Sequence, residues 1–391
     1  MMAQRRSFLL STAAGAAAAI SAFKASAKGL PFDVEPRGTT GILERLPRLD
    51  LESAQDFMTG YRVFINGELN RAAIARAETI LKAHGLKPDS PISMDDTIKL
   101  MAPDPEMMVI IHNWENTQRA MWSTVQKEAH KNADAYMEEM DRAMKAGPGS
   151  LELDAKLDLP PYVKHEIHIQ PGGYVGDPFA GYIYLHGQNV VFNGGNFQDN
   201  AQAMFANAVP RPADGKVKRV LEQGCSIGQL TMALKLKFPE AEVWGDDVAA
   251  PMLRYAQVLA VDRGIDVNFI QQLSERSKFP DNHFDVVMNN LVFHEVTTEG
   301  ARGMIAEAFR TLRPGGVFYP IDLFTGTPKP RLAYQQFRAW QDYRWNAEVW
   351  RLEYTALDLE GEMRKAGFVV NENGPAARRG ANRNVMGTKP A

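Results

Sequence analysis

The C-terminal part of the chain is predicted to adopt an α/β fold, a doubly wound, mainly parallel sheet of seven strands preceded by an N-terminal helical accessory region. Three observations carry this. From Lys216 onward, short apolar runs alternate with helical stretches, and parallel strands require such crossover connections. The first run ends in the glycine-containing turn Gly224-Cys225-Ser226-Ile227-Gly228, and the second ends in the carboxylate pair Asp246-Asp247. Sheets of this kind bind ligands at the carboxyl ends of their strands, beside the point where strand order reverses.

The elements follow in order. Residues 70–84 place Ala72, Ile74, Ala77, Ile80 and Leu81 at helical spacing, with Gly85 as the stop. Residues 105–145 read as one long helix, with Met108, Ile111, Trp114, Met121, Trp122 and Val125 on a single stripe whose Met and Trp residues suggest a ligand groove but which helical spacing assigns to the core. Residues 151–200 carry Tyr162, Tyr174, Tyr182 and Tyr184 among many glycines, a composition that predicts loops and short strands. His165 and His168 flank Glu166 there. Three apart on a strand, the two imidazoles would face opposite ways, and no third ligand stands at a diagnostic spacing, so no metal is expected. Strands are then predicted at 217–222, 242–245, 267–271, 284–289 and 316–322, with helices at 230–238 and 251–263. The last two strands fall at 368–371 and 384–388.

Composition excludes some functions. Apolar residues make up 45% of the 391 and charged residues 23%, ample for a buried core, and the formal net charge is −3. With no dense basic cluster, nothing argues for nucleic acid as a partner. The single cysteine, Cys225, permits neither an internal disulfide nor a cysteine zinc site. The turn itself excludes others. A dinucleotide fingerprint counted from Gly224 requires glycine at 226 and 229, where Ser226 and Gln229 stand, and no Gly-Lys-Ser/Thr follows to make a phosphate loop. What remains is a turn suited to a nucleoside without phosphates, with a strand-end carboxylate able to accept two hydrogen bonds from ribose hydroxyls.

Glu222-Gln223-Gly224-Cys225-Ser226-Ile227-Gly228, Gly245-Asp246-Asp247, Phe279-Pro280-Asp281-Asn282-His283-Phe284-Asp285-Val286-Val287 and Leu312-Arg313-Pro314-Gly315-Gly316 resemble, in order and spacing, the successive motifs of class I S-adenosylmethionine-dependent methyltransferases. The resemblance implies a methyltransferase domain over residues 161–391, including a lid-like lead-in at 161–215, after a helical accessory region at 28–160. It implies S-adenosylmethionine as cofactor, a small-molecule methyl acceptor, and an antiparallel final strand. It also implies that Gly224, Ser226 and Gly228 line the methionine part of the cofactor, that Glu222 helps hold its amino group, that Asp247 takes the ribose hydroxyls, and that Val248 lies beside the adenine. Asn290 would line the same pocket.

The chain departs from the family pattern twice. Leu273-Ser274 replaces an acidic and a small residue after the third strand, so Ser274 or backbone must meet the adenine amino group. Ser226 replaces the commoner middle glycine. Methyl transfer needs an acceptor held in line, water excluded and sometimes a base; His294, in the loop after the fourth strand, is the candidate base. Tyr174, His168 and Tyr182 in the lead-in could face the sulfonium by cation-π attraction or pack in the core. The aromatic-rich segment 325–352, with Tyr334, Phe337, Trp340, Tyr343, Trp345 and Trp350, fits an acceptor cover and a core helix equally. A second reading keeps the nucleoside pocket without turnover, as an exported binding protein.

At the N-terminus, Gln4-Arg5-Arg6-Ser7-Phe8-Leu9-Leu10, an Ala-rich stretch and Ala25-Ser26-Ala27 resemble a twin-arginine export signal occupying residues 1–27. That resemblance implies the twin-arginine export machinery as partner and a periplasmic location, with membrane anchoring if the signal is not cleaved and a cytoplasmic enzyme as the alternative. Export of an already folded chain would leave Cys225 unpaired without harm.

Overall fold

The computed structural model describes residues 49–196, 198–325, 332–377 and 381–391; the expected export signal at residues 1–27 lies outside them. The sheet grows from β2 (Arg219–Gln223), β3 (Glu242–Asp247), β4 (Asn268–Gln271), β5 (Phe284–Asn290) and β6 (Leu312–Ile321), crossed over by α8 (Gln229–Lys237), α9 (Ala250–Arg263) and α10 (Thr298–Thr311). β7 (Val369–Gly374) and β8 (Asn384–Thr388) complete one side. Strand order is β1-β4-β3-β2-β5-β6-β8-β7, with β8 antiparallel to both β6 and β7. Order reverses beside β2, which pairs in parallel with β3 on one edge and β5 on the other.

The sheet has eight strands where the sequence predicts seven. The extra one is β1 (Ser150–Glu152), which pairs in parallel with β4. Three residues are too few to show a period, and their strand state is imposed by the neighbouring edge rather than by local preference.

Both faces of the middle of the sheet are covered, so β2 and β5 are buried along nearly their whole length, while the edge strands β1 and β7 stay partly open to solvent. Alternation sorts the strands' side chains into two cores. Val220, Val243, Phe269, Val286 and Tyr319 join one cluster, while Leu221, Ile270, Phe284, Val287 and Phe318 join the other. The first core takes in helices α4 (Pro105–Lys131), α5 (Ala133–Ala143), α6 (Ala180–Val191) and α7 (Asn200–Ala208) from the N-terminal region. That region is therefore part of the domain's own packing rather than an appendage.

A third cluster joins α1 (Leu49–Phe64), α2 (Asn70–Ala83), α3 (Met94–Met101) and α4 to α11 (Ala333–Trp345), through Ile65, Leu81, Met107 and Ile111 against Phe337. Asp104 caps α4, its Oδ1 accepting from the Glu106 and Met107 amides at 3.0 and 3.1 Å ahead of Pro105. Two short helices, α12 (Arg351–Ala356) and α13 (Leu359–Ala366), lead into β7.

Two expectations are corrected. The long helix predicted over 105–145 is two helices, α4 and α5, meeting at Asn132. There the Asn132 Nδ2 donates to the Glu128 carbonyl at 2.9 Å, a local side-chain bond that competes with the helical ladder. The segment 151–200, read as loops and short strands, holds most of β1, two 3-10 turns, the whole of α6 and the first residue of α7. Its glycines misled because α6 uses them for close packing. A Cβ at Gly187 would lie 1.8 Å from the Trp122 ring, and one at Gly181 would lie 2.4 Å from the Tyr255 Cβ. These glycines admit neighbouring side chains to the helix backbone and do not end it.

Candidate active site

The turn after β2 winds through positive φ at Gly224 (67°), Ser226 (53°) and Gly228 (72°). At Gly228 a Cβ would meet the Phe269 ring at 2.5 Å, so the turn closes onto the sheet only with glycine. The two aspartates at the end of β3 then hold it from below. Asp246 is fully buried, its Oδ1 accepting from the Gly224 amide at 3.2 Å and the Ser274 hydroxyl at 2.5 Å, and its Oδ2 from Gln272 at 2.9 Å. Asp247 stands one residue nearer the opening. It accepts the Ser226 amide on Oδ2 and the Ala249 amide on Oδ1, both at 2.8 Å, leaving each oxygen a further lone pair.

Around this turn opens a cavity of about 350 Å³. Of the residues singled out from the sequence, Glu222, Gly224, Ser226, Asp247, Val248, Ser274, Asn290 and His294 line it, and Gly228 does not. Gly228 acts one layer back, as the pivot on which α8 starts. Ser274 has donated its hydroxyl proton to Asp246, so toward a ligand its oxygen can only accept. Asn290 keeps a buried Oδ1 with no partner. Burial pushes the Glu222 carboxyl up to about 8 and Asp247 up to about 6, against the hydrogen bonds each accepts.

The lead-in forms the opposite wall. His168 and Tyr174 line the cavity, with Tyr184 from α6. Tyr182 does not: it is 3% exposed, stacks on Tyr136, lies 4.2 Å ring to ring from Tyr255 and donates to Glu139. Of its two sequence readings, the core one describes its place. The aromatic segment 325–352 divides by face. Phe337, Trp340 and Trp345 pack into the N-terminal cluster, while Asp342, Asn346, Glu348 and Arg351 line the cavity.

His294 sits in the 3-10 turn after β5, 5% exposed. Its Nδ1 lies 2.8 Å from Asp322 Oδ1 at the end of β6. Asp322 already accepts the Phe293 amide at 2.9 Å and the Leu323 amide at 2.6 Å, so Nδ1 is the donor and Nε2 is left as the acceptor in the neutral ring. Burial works to lower the basicity of His294, and Asp322 together with Glu348 and Glu295 more than offsets it.

Sequence reasoning singled out His168 but not its partners Glu295, Asn346 and Glu348, which had no signal in the sequence. His168 belongs to a 3-10 turn, with φ 54° and ψ 22°, not to a strand. Its carbonyl accepts from Trp122 Nε1 at 2.8 Å and Gln118 Nε2 at 3.4 Å. Its ring reaches across the cavity to Glu295, Nε2 to Oε1 2.9 Å, while Nδ1 lies 3.0 Å from Asn346 Nδ2 and 3.4 Å from Glu348 Oε1. Burial pulls this imidazole down, yet Glu295 and Glu348 together hold it up to about 10. His165 and His168 would point apart on a strand, but His168 lies in a 3-10 turn, and the partners of its ring come from more than 120 residues away.

The charge of the cavity is lopsided. Asp247, Glu275, Glu295, Asp342 and Glu348 line it as carboxylates and Glu222 as a carboxyl that burial keeps protonated up to about 8, against Arg351 and the His168 ring, which is held charged up to about 10. A pyrophosphate would be repelled; a ligand carrying positive charge is favoured. Trp114, Trp122 and Tyr174 add an aromatic, apolar wall.

A methyltransferase domain family matches residues 220–316. A demethylmenaquinone methyltransferase of Thermus thermophilus is 39% identical over 100 residues, which cover 25% of this chain and 44% of that protein. A ubiquinone/menaquinone biosynthesis C-methyltransferase UbiE of Burkholderia cenocepacia is 30% identical over 164 residues, 38% of this chain and 67% of that protein. The chain thus spans less than half of the first relative and about two thirds of the second. A TehB-like methyltransferase structure from Corynebacterium glutamicum is 16% identical and covers 55% of this chain and all of that one, with a TM-score of 0.36.

Proposed function

Since this chain belongs to the class I S-adenosylmethionine-dependent methyltransferase family, we propose that it transfers a methyl group to a small, ring-bearing acceptor of phenol or quinol type. The observation that carries the reading is one cavity lined both by the turn at Gly224 and Ser226 with Asp247, which would take a nucleoside, and by His294 with an aromatic wall of Trp114, Trp122 and Tyr174. The quinone substrates named for the relatives agree with that wall.

The cofactor fits the residues present. Its sulfonium and ammonium groups suit a cavity whose acidic side chains outnumber its basic ones, and its lack of phosphates suits a cavity whose lining holds a single guanidinium. The free lone pairs of Asp247 would take the two ribose hydroxyls, while Glu222 and the unpartnered Asn290 Oδ1 would take the ammonium. When bound, S-adenosylmethionine supplies an electrophilic methyl group. The chain's own residues position the acceptor, exclude water behind Trp122 and Tyr174, and receive the acceptor's proton at His294 Nε2, with Asp322 holding the ring.

The test incubates the purified full chain with methyl-labelled S-adenosylmethionine and a panel of phenols, quinols and quinones. The expected result is label in one acceptor class with equimolar S-adenosylhomocysteine. Tight cofactor binding by calorimetry, with no turnover on any acceptor or cell extract, would instead favour the binding-protein reading. Export through the twin-arginine machinery is a separate proposal, resting on Arg5-Arg6 and Ala25-Ser26-Ala27. A reporter active only after folded export, fused to residues 1–35, should reach the periplasm and lose that ability when Arg5 and Arg6 become lysine.

A further inference from the structure

We infer that the cavity holds a divalent transition-metal ion, bound by Nε2 of His168, Nε2 of His294 and the carboxylate of Glu295. One ligand atom from each of these residues lies within 4.8 Å of the other two. The Glu295 Oε1 is 2.9 Å from His168 Nε2 and 3.8 Å from His294 Nε2. Two ligands each about 2.1 Å from a common ion, at angles of roughly 90–110°, stand about 3.0–3.4 Å apart. These separations are close to that spacing, and displacements of a few tenths of an ångström bring all three onto one ion.

Proximity alone would also describe a hydrogen-bonded cluster; what lies behind the ligands distinguishes a metal site. A ligating imidazole is held by its other ring nitrogen, usually on a carboxylate, which fixes the ring and raises its basicity. The ring of His294 is held in that way, its Nδ1 bonding Asp322 at 2.8 Å. Nδ1 of His168 is boxed in by Glu348 Oε1 at 3.4 Å and the Asn346 amide nitrogen at 3.0 Å, and that amide itself donates to Glu348 at 2.8 Å. In addition, His168 keeps a left-handed backbone, φ 54°, followed by Ile169 at φ 50°, with its carbonyl fastened by Trp122 and Gln118. That conformation is uncommon for residues other than glycine and clusters at functional sites.

Two imidazoles and one carboxylate, with the remaining positions open to a cavity, form a donor set suited to zinc or iron(II) and poor for magnesium or calcium. All three residues line the cavity, so an ion there keeps open positions for an oxygen of the acceptor. That role rests on the methyl-transfer reading; binding of the ion does not. With the ion in place, Nε2 of His294 is a ligand, and proton acceptance by that nitrogen belongs to the metal-free chain.

The experiment strips the full chain with a chelator and titrates it with cobalt(II) alone, reading the visible d–d bands, then displaces the cobalt with zinc. The expected result is one cobalt per chain, with His168→Gln and Glu295→Gln each weakening binding by more than tenfold and Asp322→Asn by about 10–100-fold, while circular dichroism and thermal midpoints confirm folding. A folded wild-type chain that takes up no cobalt, or uptake unchanged in the folded His168→Gln and Glu295→Gln chains, overturns the proposal and leaves His168 as an ion-pair partner of Glu295 and Glu348. Methyl transfer is read separately from labelled product, so metal uptake without transfer would count against the transfer reading alone. Transfer by a chain that binds no metal would count against this one.

Discussion

Nδ1 of His294 and Oδ1 of Asp322, 28 residues apart in sequence, meet at 2.8 Å at the ends of two adjacent strands. The contact sets the tautomer of a nearly buried imidazole and aims its second nitrogen into the cavity. Replacing His294 by Gln is expected to lower kcat about 10²–10⁴-fold while leaving the dissociation constant of S-adenosylmethionine within a factor of a few. Asp322→Asn should lower kcat at least tenfold in the same direction, because the amide neither fixes the donor on Nδ1 nor stabilises a charged ring. A large change in cofactor affinity in either variant would show that the pair belongs to the nucleoside end.

Asp246 and Asp247 are neighbours with different expected failures. Asp247 offers free lone pairs to the cavity, and charge-assisted hydrogen bonds are each worth about 1.5–3 kcal/mol. Asp247→Ala should therefore weaken cofactor binding by tenfold or more, at 1.4 kcal/mol per decade, measured by calorimetry. Asp246 is closed off from ligand, its oxygens occupied by Gly224, Gln272 and Ser274. Asp246→Ala strands the buried donors of Gln272 and Ser274 as well as the Gly224 amide and should show first as a loss of thermal stability.

The contrast between those two residues also marks how far sequence alone could read the site. The turn and the strand-end carboxylate are legible because each is local: a few residues of glycine spacing, or one position after a strand. The same locality underlies the parallel sheet, whereas the antiparallel last strand followed from the family resemblance. His168 was not legible in this way, since its partners Glu295 and Glu348 stand 127 and 180 positions away and a single turn of positive φ decides where its ring points. The helix α6 escaped for the opposite reason. Gly181 and Gly187 carry the usual local signal for a loop, and what overrides it is the side chain each one admits from another helix.

Buried carboxylates make the ligand-free chain sensitive to pH. Burial raises Glu222 from 4.5 to about 8 and Asp246 from 3.8 to about 7. Between those limits the folded chain keeps protons that the unfolded chain has released, so stability is present in full below the lower value and is lost as pH rises through the upper one. The thermal midpoint of the ligand-free chain should fall from about pH 5 to about pH 8 through these two groups. Glu222→Gln, which cannot ionise yet still accepts from Thr231, should flatten the upper part of that decline. An unchanged slope in the variant would assign the pH dependence elsewhere.

Gly187 links packing to the site through Trp122. The indole presses on the glycine from one side, and a Cβ there would lie 1.8 Å from its Cζ3; its Nε1 on the other side holds the His168 carbonyl at 2.8 Å. Gly187→Ala must push the indole away, and overpacking of this kind costs about 1–3 kcal/mol. Because the displaced ring takes its hydrogen bond with it, the positively twisted turn at His168 loses a support, and activity should fall by more than the stability loss explains at a temperature where the chain is still folded. Trp122→Leu makes room for the new methyl group but cannot restore the bond to His168. The double variant Gly187→Ala with Trp122→Leu should therefore be more stable than the sum of the two single losses, a coupling that contacting residues show, and no more active than Trp122→Leu alone. Unfolding midpoints and methyl-transfer rates on the four chains measure both halves of the claim, and additive stabilities would mean that the two residues do not touch.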